Sequence, residues 1–138
     1  MGQLISFIKL WIDLLEIKNA NTTIWDITLS DPWFEFVKSG EKKFEGRRYF
    51  SKYKMVQKGD YFRISHHSNK SEKQFFKKIV DINRFATFRD ALKFHEKKIQ
   101  QLLPTIETVQ EGVLVYYKYV SEETQIKDGV VLFELENI

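Results

Sequence analysis

The sequence predicts a mixed α+β domain with strands at both ends of the chain, preceded by a short apolar helix. Three observations predict it. Alternating apolar runs open and close the main body, at Ile24–Leu29 and Val130–Glu136. Helix starts and stops punctuate the stretches between them. The chain has 138 residues and is 43% hydrophobic, the size of one domain with a substantial core. The expected division is residues 1–23 as helix and linker, and 24–138 as the folded domain.

In residues 4–17, LISFIKLWIDLLEI, the polar positions Gln3, Ser6, Lys9, Asp13 and Glu16 recur every three or four residues. They form one narrow stripe on an otherwise apolar helix, and so wide an apolar face must be buried against something. Asn19–Thr23 reads as a polar linker, and Ile24–Leu29 as the first strand. At Asp31-Pro32 a helix begins, with Asp31 as N-cap and proline in the first position, where no donor is needed. Ser39-Gly40 ends it, the glycine supplying a left-handed cap. Lys43–Phe50 is the second strand, Lys58-Gly59-Asp60 a turn and Tyr61–His66 the third strand. Residues 68–73 are a polar loop. Phe75–Phe85 is the fourth strand, and Thr87–Lys98 has helical periodicity. Thr108-Val-Gln-Glu111 is a capping box opening a helix to about Val120. Lys127-Asp128-Gly129 turns into the last strand.

The net charge of +3 hides a strong division. Residues 42–98 carry seventeen basic and six acidic side chains, whereas both flanking segments are net acidic. A block this basic is the footprint of a polyanion partner, because each phosphate contact releases counterions. The absence of cysteine excludes disulfides and thiol-ligated zinc. No run reaches the ~20 apolar residues of a membrane span. The N-terminal run lacks the basic start and cleavage site of a secretion signal. The expected location is cytoplasmic or nuclear. No P-loop, dinucleotide fingerprint or Ser-His-Asp order is present, so no cofactor is expected.

The segment Pro32-Trp-Phe-Glu-Phe-Val-Lys-Ser-Gly-Glu-Lys-Lys-Phe-Glu-Gly-Arg47 resembles the ASCH (activating-signal-cointegrator homology) family. Its Gly40-x-Lys42-x-x-Glu45-x-Arg47 is similar to that family's G-x-K-x-x-E-x-R signature. Lys58-Gly59-Asp60, Leu103-Pro104, Tyr116-Tyr117 and the closing Gly129–Glu134 stand in the family's order. The likeness spans about residues 25–136. It implies a PUA-like mixed β-barrel with flanking helices and a cleft beside the signature strand, used to bind RNA. It also implies an enzymatic alternative, a ribonuclease or an amidohydrolase acting on N4-acetylcytidine. The amidohydrolase branch uses a lysine, a threonine and a glutamate. Lys42 stands at the lysine's place and Glu45 at the threonine's, and no residue here is placed as the distal glutamate.

In a regular strand, Lys43, Glu45 and Arg47 share one face. Lys42 joins them in a cleft only if the strand begins after it or Gly46 marks a bulge. A guanidinium held by a carboxylate is suited to meet phosphate or a base edge. Arg48, Lys52 and Lys54 interleave with Tyr49 and Tyr53, a pattern that suits stacked bases and paired phosphates of single strands. Arg63 and His66 complete the expected nucleic-acid-binding set. Lys42 and Glu45 are the catalytic candidates if the cleft turns over substrate. His66 and His67 point to opposite strand faces and cannot share one ion, so no metal site is expected.

Gly2, followed by Ser6, fits the myristoylation pattern. It supports a third expectation, a peripheral membrane protein attached through the N-terminal helix. Self-association or packing of residues 4–17 is the competing expectation.

Overall fold

The computed structural model describes residues 21–69 and 71–138. The predicted helix at 4–17 and the acylation pattern at Gly2 lie outside the described residues. Five strands, β1 (Ile24–Leu29), β2 (Phe44–Arg48), β3 (Tyr61–His66), β4 (Phe75–Phe85) and β5 (Val130–Glu136), form one sheet in the order β1-β3-β4-β5-β2. β1 runs parallel to β3, and the other neighbours are antiparallel. The sheet curls into a half-barrel. It does not close by strand pairing, because β1 and β2 are its two edges. The half-barrel agrees with the mixed α+β, PUA-like architecture that the family likeness implies, and the seam between its edges holds the site described below.

The helices are α1 (Trp33–Ser39), α2 (Phe88–Phe94), α3 (Ile99–Leu102), α4 (Val109–Tyr117) and α5 (Glu122–Asp128). Among the described residues, no helix is long and apolar enough to cross a membrane. Two apolar clusters share the interior. One packs α1, through Phe34 and Val37, onto the inward side chains Ile27, Leu29, Phe62, Ile64, Ile79 and Phe133. The other packs α2, α3 and α4 onto Phe44, Val130 and Leu132, which alternate with Val131 and Phe133 along β5 and so lie on the other face of the sheet. Each fully buried side chain of this size contributes about 1.5–3 kcal/mol.

Strand periodicity gives most element bounds correctly, and four details differ. Asp31 does not cap α1: the preceding residue is Pro32, without a side-chain bond, and the Phe34 N–H is served by the Ser30 carbonyl at 3.0 Å. Asp31 instead faces His66, its Oδ2 3.1 Å from Nε2. Gly40 does terminate α1 in the left-handed region, at φ 88°. The strand predicted from Lys43 to Phe50 is shorter at both ends, and a 3₁₀ turn at Ser51–Lys54 follows it. The helix predicted over Thr87–Lys98 breaks at His95, giving α2, a 3₁₀ turn and α3. Thr108 caps α4 by accepting from the Glu111 N–H at 3.2 Å, while its hydroxyl donates to the Glu111 carboxylate. α4 ends at Tyr117, and α5 forms where only a turn was expected.

Candidate functional site: a charged cleft at the open seam

β2 begins at Phe44, so Lys42 lies before the strand and is free to turn inward. It is only 3% exposed, and its ammonium donates to the carbonyls of Phe44, at 2.6 Å, and Leu102. Its Nζ stands 3.9 Å from Glu45 Oε1. The other carboxylate oxygen of Glu45 takes the Arg47 Nε–H at 2.6 Å. Arg47 then spends two further donors: Nη1 on the Tyr53 hydroxyl at 3.0 Å, and Nη2 on the Thr28 carbonyl at 2.9 Å. The last bond crosses from β2 to β1, so a side chain bridges the seam that no strand pairing closes. Lys52 does the same beside it, donating to the Asp26 carbonyl.

Lys42, Glu45, Arg47, Tyr53 and Thr28 line a cleft of about 550 Å³, the size of a small-ligand site, and Lys52 stands outside its lining. Lys42, Glu45, Gly46, Arg47 and Arg48 line one side, Thr28, Leu29 and Ser30 the other. Trp33, Phe50, Tyr53, Phe88, Tyr116 and Tyr119 supply aromatic walls. Trp33 Nε1 donates to the Tyr119 hydroxyl at 2.7 Å, joining α1 to the chain after α4.

The electrostatics follow from burial. Loss of hydration pulls the Lys42 ammonium down to about 8; Glu45 opposes this and Arg47 adds to it. Burial also acts against the Arg47 guanidinium, but the Glu45 carboxylate and the Tyr53 phenol outweigh it, so its pKa is raised. The Tyr53 hydroxyl is pushed up by burial. Tyr116 is raised by burial and then by Glu45. Its hydroxyl has no hydrogen-bond partner among the described residues.

Gly46 is where this arrangement tolerates no side chain. A Cβ there would lie 2.8 Å from Phe88 Cε1, 3.1 Å from the Tyr116 hydroxyl and 3.2 Å from Leu132 Cδ2. Phe88 and Tyr116 are stacked on each other, with ring centroids 3.9 Å apart, so neither has an easy retreat. Gly46→Ala is expected to cost about 1–3 kcal/mol of stability, typical of overpacking a filled interior. Equilibrium urea unfolding measures it, and an unchanged midpoint would show that the stacked pair is softer than its packing implies.

The structure brings Lys42, Glu45, Arg47, Arg48 and Tyr53 together and places the other expected residues elsewhere. Lys43 is exposed outside the cleft, its carbonyl taking the Leu135 N–H. Arg63 forms a two-point ion pair with Asp26, at 2.5 and 2.8 Å, on the outer side of β1 and β3. His66 is buried, and its Nδ1 accepts the Ser68 and Asn69 N–H groups, so it organises its own loop. Its neighbour His67 is the histidine that lines the cleft. Tyr49 carries Arg84 over its ring at 3.7 Å and Lys54 at 5.7 Å, away from the cleft lining. Arg48 pairs with Asp128 at 2.6 Å and lies over Phe50 at 4.0 Å. Sequence reasoning missed the far wall: Trp33, Phe88, Tyr116 and Tyr119. The readable signal was the i, i+3 spacing of Tyr116 and Tyr119, which puts two aromatics on one side of a helix end.

Fold and cleft together define a small α+β domain built on an open half-barrel, with a charged pocket at the seam. The chain belongs to the ASCH family: the ASCH domain model matches residues 27–138. It is similar to the crystal structure of the hypothetical protein PH0355, with 30% identity, a TM-score of 0.71, and coverage of 83% of this chain and 99% of that one. It is equally similar in sequence, at 30%, to the solution structure of protein PF0455 from Pyrococcus furiosus, with a TM-score of 0.62 and coverage of 82% and 96%. The crystal structure of ASCH from Zymomonas mobilis shares the fold at 15% identity, with a TM-score of 0.56 and coverage of 83% and 67%. No curated protein matches the sequence.

Proposed function

We propose that this protein is an RNA-binding module that takes an unstacked base into the seam cleft. The observation that carries the reading is the Lys42–Glu45–Arg47 network, set between aromatic walls in a cleft of about 550 Å³. A base entering such a cleft stacks on aromatic faces at roughly 1–3 kcal/mol per base. Arg47 has five N–H donors and uses three on the protein, which leaves two for a base edge or phosphate. Glu45 Oε1 has Lys42 at 3.9 Å as its ion-pair partner and is the free acceptor for an exocyclic amino group. Single-stranded RNA rich in cytosine or adenine therefore suits the cleft better than uracil-rich RNA. The basic side chains of residues 42–98 supply non-specific phosphate contacts around it.

The test is a titration of the full chain with oligo(C), oligo(A) and oligo(U) at two salt concentrations. Binding should weaken with salt and favour the amino-bearing bases. Arg47→Ala should lower affinity by about 10- to 100-fold, the loss of one or two charge-assisted bonds. Equal affinity for wild type and Arg47→Ala, with the fold intact by circular dichroism, would refute the reading.

A second reading, an enzyme acting on RNA or a modified nucleoside, is favoured by one observation. Lys42 is brought down to about 8, where proton transfer near neutrality is feasible. Glu45 in place of the family's threonine removes the hydroxyl nucleophile that the amidohydrolase branch uses. Recovery of shortened RNA or altered nucleoside from the same titration, lost in Lys42→Ala, would put this reading first.

A further inference from the structure

Two large aromatics, Tyr61 and Phe76, are each only 6% exposed although they belong to neither interior cluster. The register explains their position. Phe62 and Ile64 point to the interior, so Tyr61, Arg63 and Ser65 stand on the outer face of β3. Arg63 is opposite Phe76 and Tyr61 is opposite Lys78, which makes Tyr61 and Phe76 diagonal neighbours on that outer face. Ile24 is opposite Tyr61 on β1. The hydrophobic side chains packed on the pair, among the described residues, are Ile24 and Ile138. A Tyr or Phe ring presents roughly 150–250 Å² of largely apolar surface, so the pair is an apolar island on this face. Around this patch the outer face is polar: Asp26, Arg63, Ser65, Lys78 and Glu136.

We infer that this outer patch is the docking site of the chain's own N-terminal segment, residues 4–17. The tether is short. The Tyr61 N–H is bonded to the Thr23 carbonyl at 3.0 Å, so the chain enters the fold at the patch itself. Residues 18–23 span at most about 20 Å. A fourteen-residue helix is about 21 Å long, enough to cross the roughly 14 Å from β1 to β5. The segment offers Leu4, Ile8, Trp11 and Leu15 opposite its polar stripe. Docked on the patch, it keeps Lys9, Asp13 and Glu16 in water and leaves the seam cleft open.

Because the chain has no cysteine, paired substitutions report contact without background. Leu15→Cys with Ile138→Cys should form a disulfide within one chain under mild oxidation. Asp13→Cys with Ile138→Cys, from the polar stripe, should form it about tenfold more slowly or not at all, since a disulfide needs Cα atoms within roughly 7 Å. Crosslinks only between chains would overturn the inference in favour of a second copy as occupant. No crosslink in either pair would overturn it too, and co-sedimentation with phospholipid vesicles would then identify a membrane as the occupant. As an independent readout, amide exchange of residues 4–17 should be slow in the wild type. It should quicken in Phe76→Asp while β5 stays protected, and unchanged protection of 4–17 in that variant contradicts the docking.

Discussion

Glu45→Ala is expected to be the most damaging single substitution in the cleft, lowering the unfolding free energy by about 3–5 kcal/mol. The carboxylate is the anion between two cations. It binds Arg47 at 2.6 Å and stands 3.9 Å from Lys42, and it is itself only 5% exposed. Removing it leaves two positive charges facing each other where water is scarce, so most of the cost is the desolvated charge left behind. Arg47 keeps 23% of its side chain exposed and can turn outward, which places the expectation toward the lower end of the range. Lys42 has no such route, because its ammonium is enclosed by the Phe44 and Leu102 carbonyls. The signature of this mechanism is partial rescue: Lys42→Met added to Glu45→Ala should restore some of the lost stability, because one stranded charge goes with it. Thermal and urea unfolding of the four-member cycle measure it. Strict additivity of the two substitutions would show that no such coupling exists.

How much of this was legible in the sequence depends on which force set each element. Strands with one buried face were readable, because their alternation is the burial itself. β1, β3, β4 and β5 fall at the predicted residues. α5 was not readable, and the reason is particular. Its buried residue is a glutamine, Gln125, 2% exposed, which accepts the Phe88 N–H at 2.9 Å and donates to the Val120 carbonyl at 3.0 Å. Its one apolar side chain, Ile126, is 68% exposed. A helix anchored by a buried amide leaves no hydrophobic period to find. The cleft was half legible. The charged residues lie within six positions, so local spacing and the family signature located them. The aromatic wall comes from α1, α2 and the end of α4, brought together by tertiary packing, and the spacing of Tyr116 and Tyr119 is its one local trace. Arg63 and His66 show the converse failure. Residue type made them plausible ligand contacts, but each is taken up by a partner distant or local, Asp26 for one and the His66–Asn69 loop for the other.

Lys42 should also give the protein an unusual dependence of stability on pH. Its ammonium is brought from an ordinary 10.5 to about 8 in the folded state, chiefly by burial. Between those values the unfolded chain holds a proton that the folded chain has released, so stability rises with pH through that window. Below about 8 both states are protonated, and the native state bears the full cost of an enclosed charge. Above about 10.5 both are neutral and that cost is gone. The difference between the two limits is on the order of 3 kcal/mol, since each unit of pKa is worth about 1.4 kcal/mol. Tyrosines and other lysines titrate in the same range, so the comparison that isolates the effect is with Lys42→Met. Relative to that variant, the wild type should gain stability from about pH 8 to about 10.5, with the curves parallel at lower pH. Parallel curves throughout would mean that Lys42 keeps its ordinary pKa. In that case the Glu45 carboxylate fully compensates its burial, and the cleft holds Lys42 as a fixed cation with no means of releasing its proton near neutrality. The enzymatic reading requires the opposite result, because only a lysine that titrates within reach of neutral pH can exchange a proton with a bound substrate.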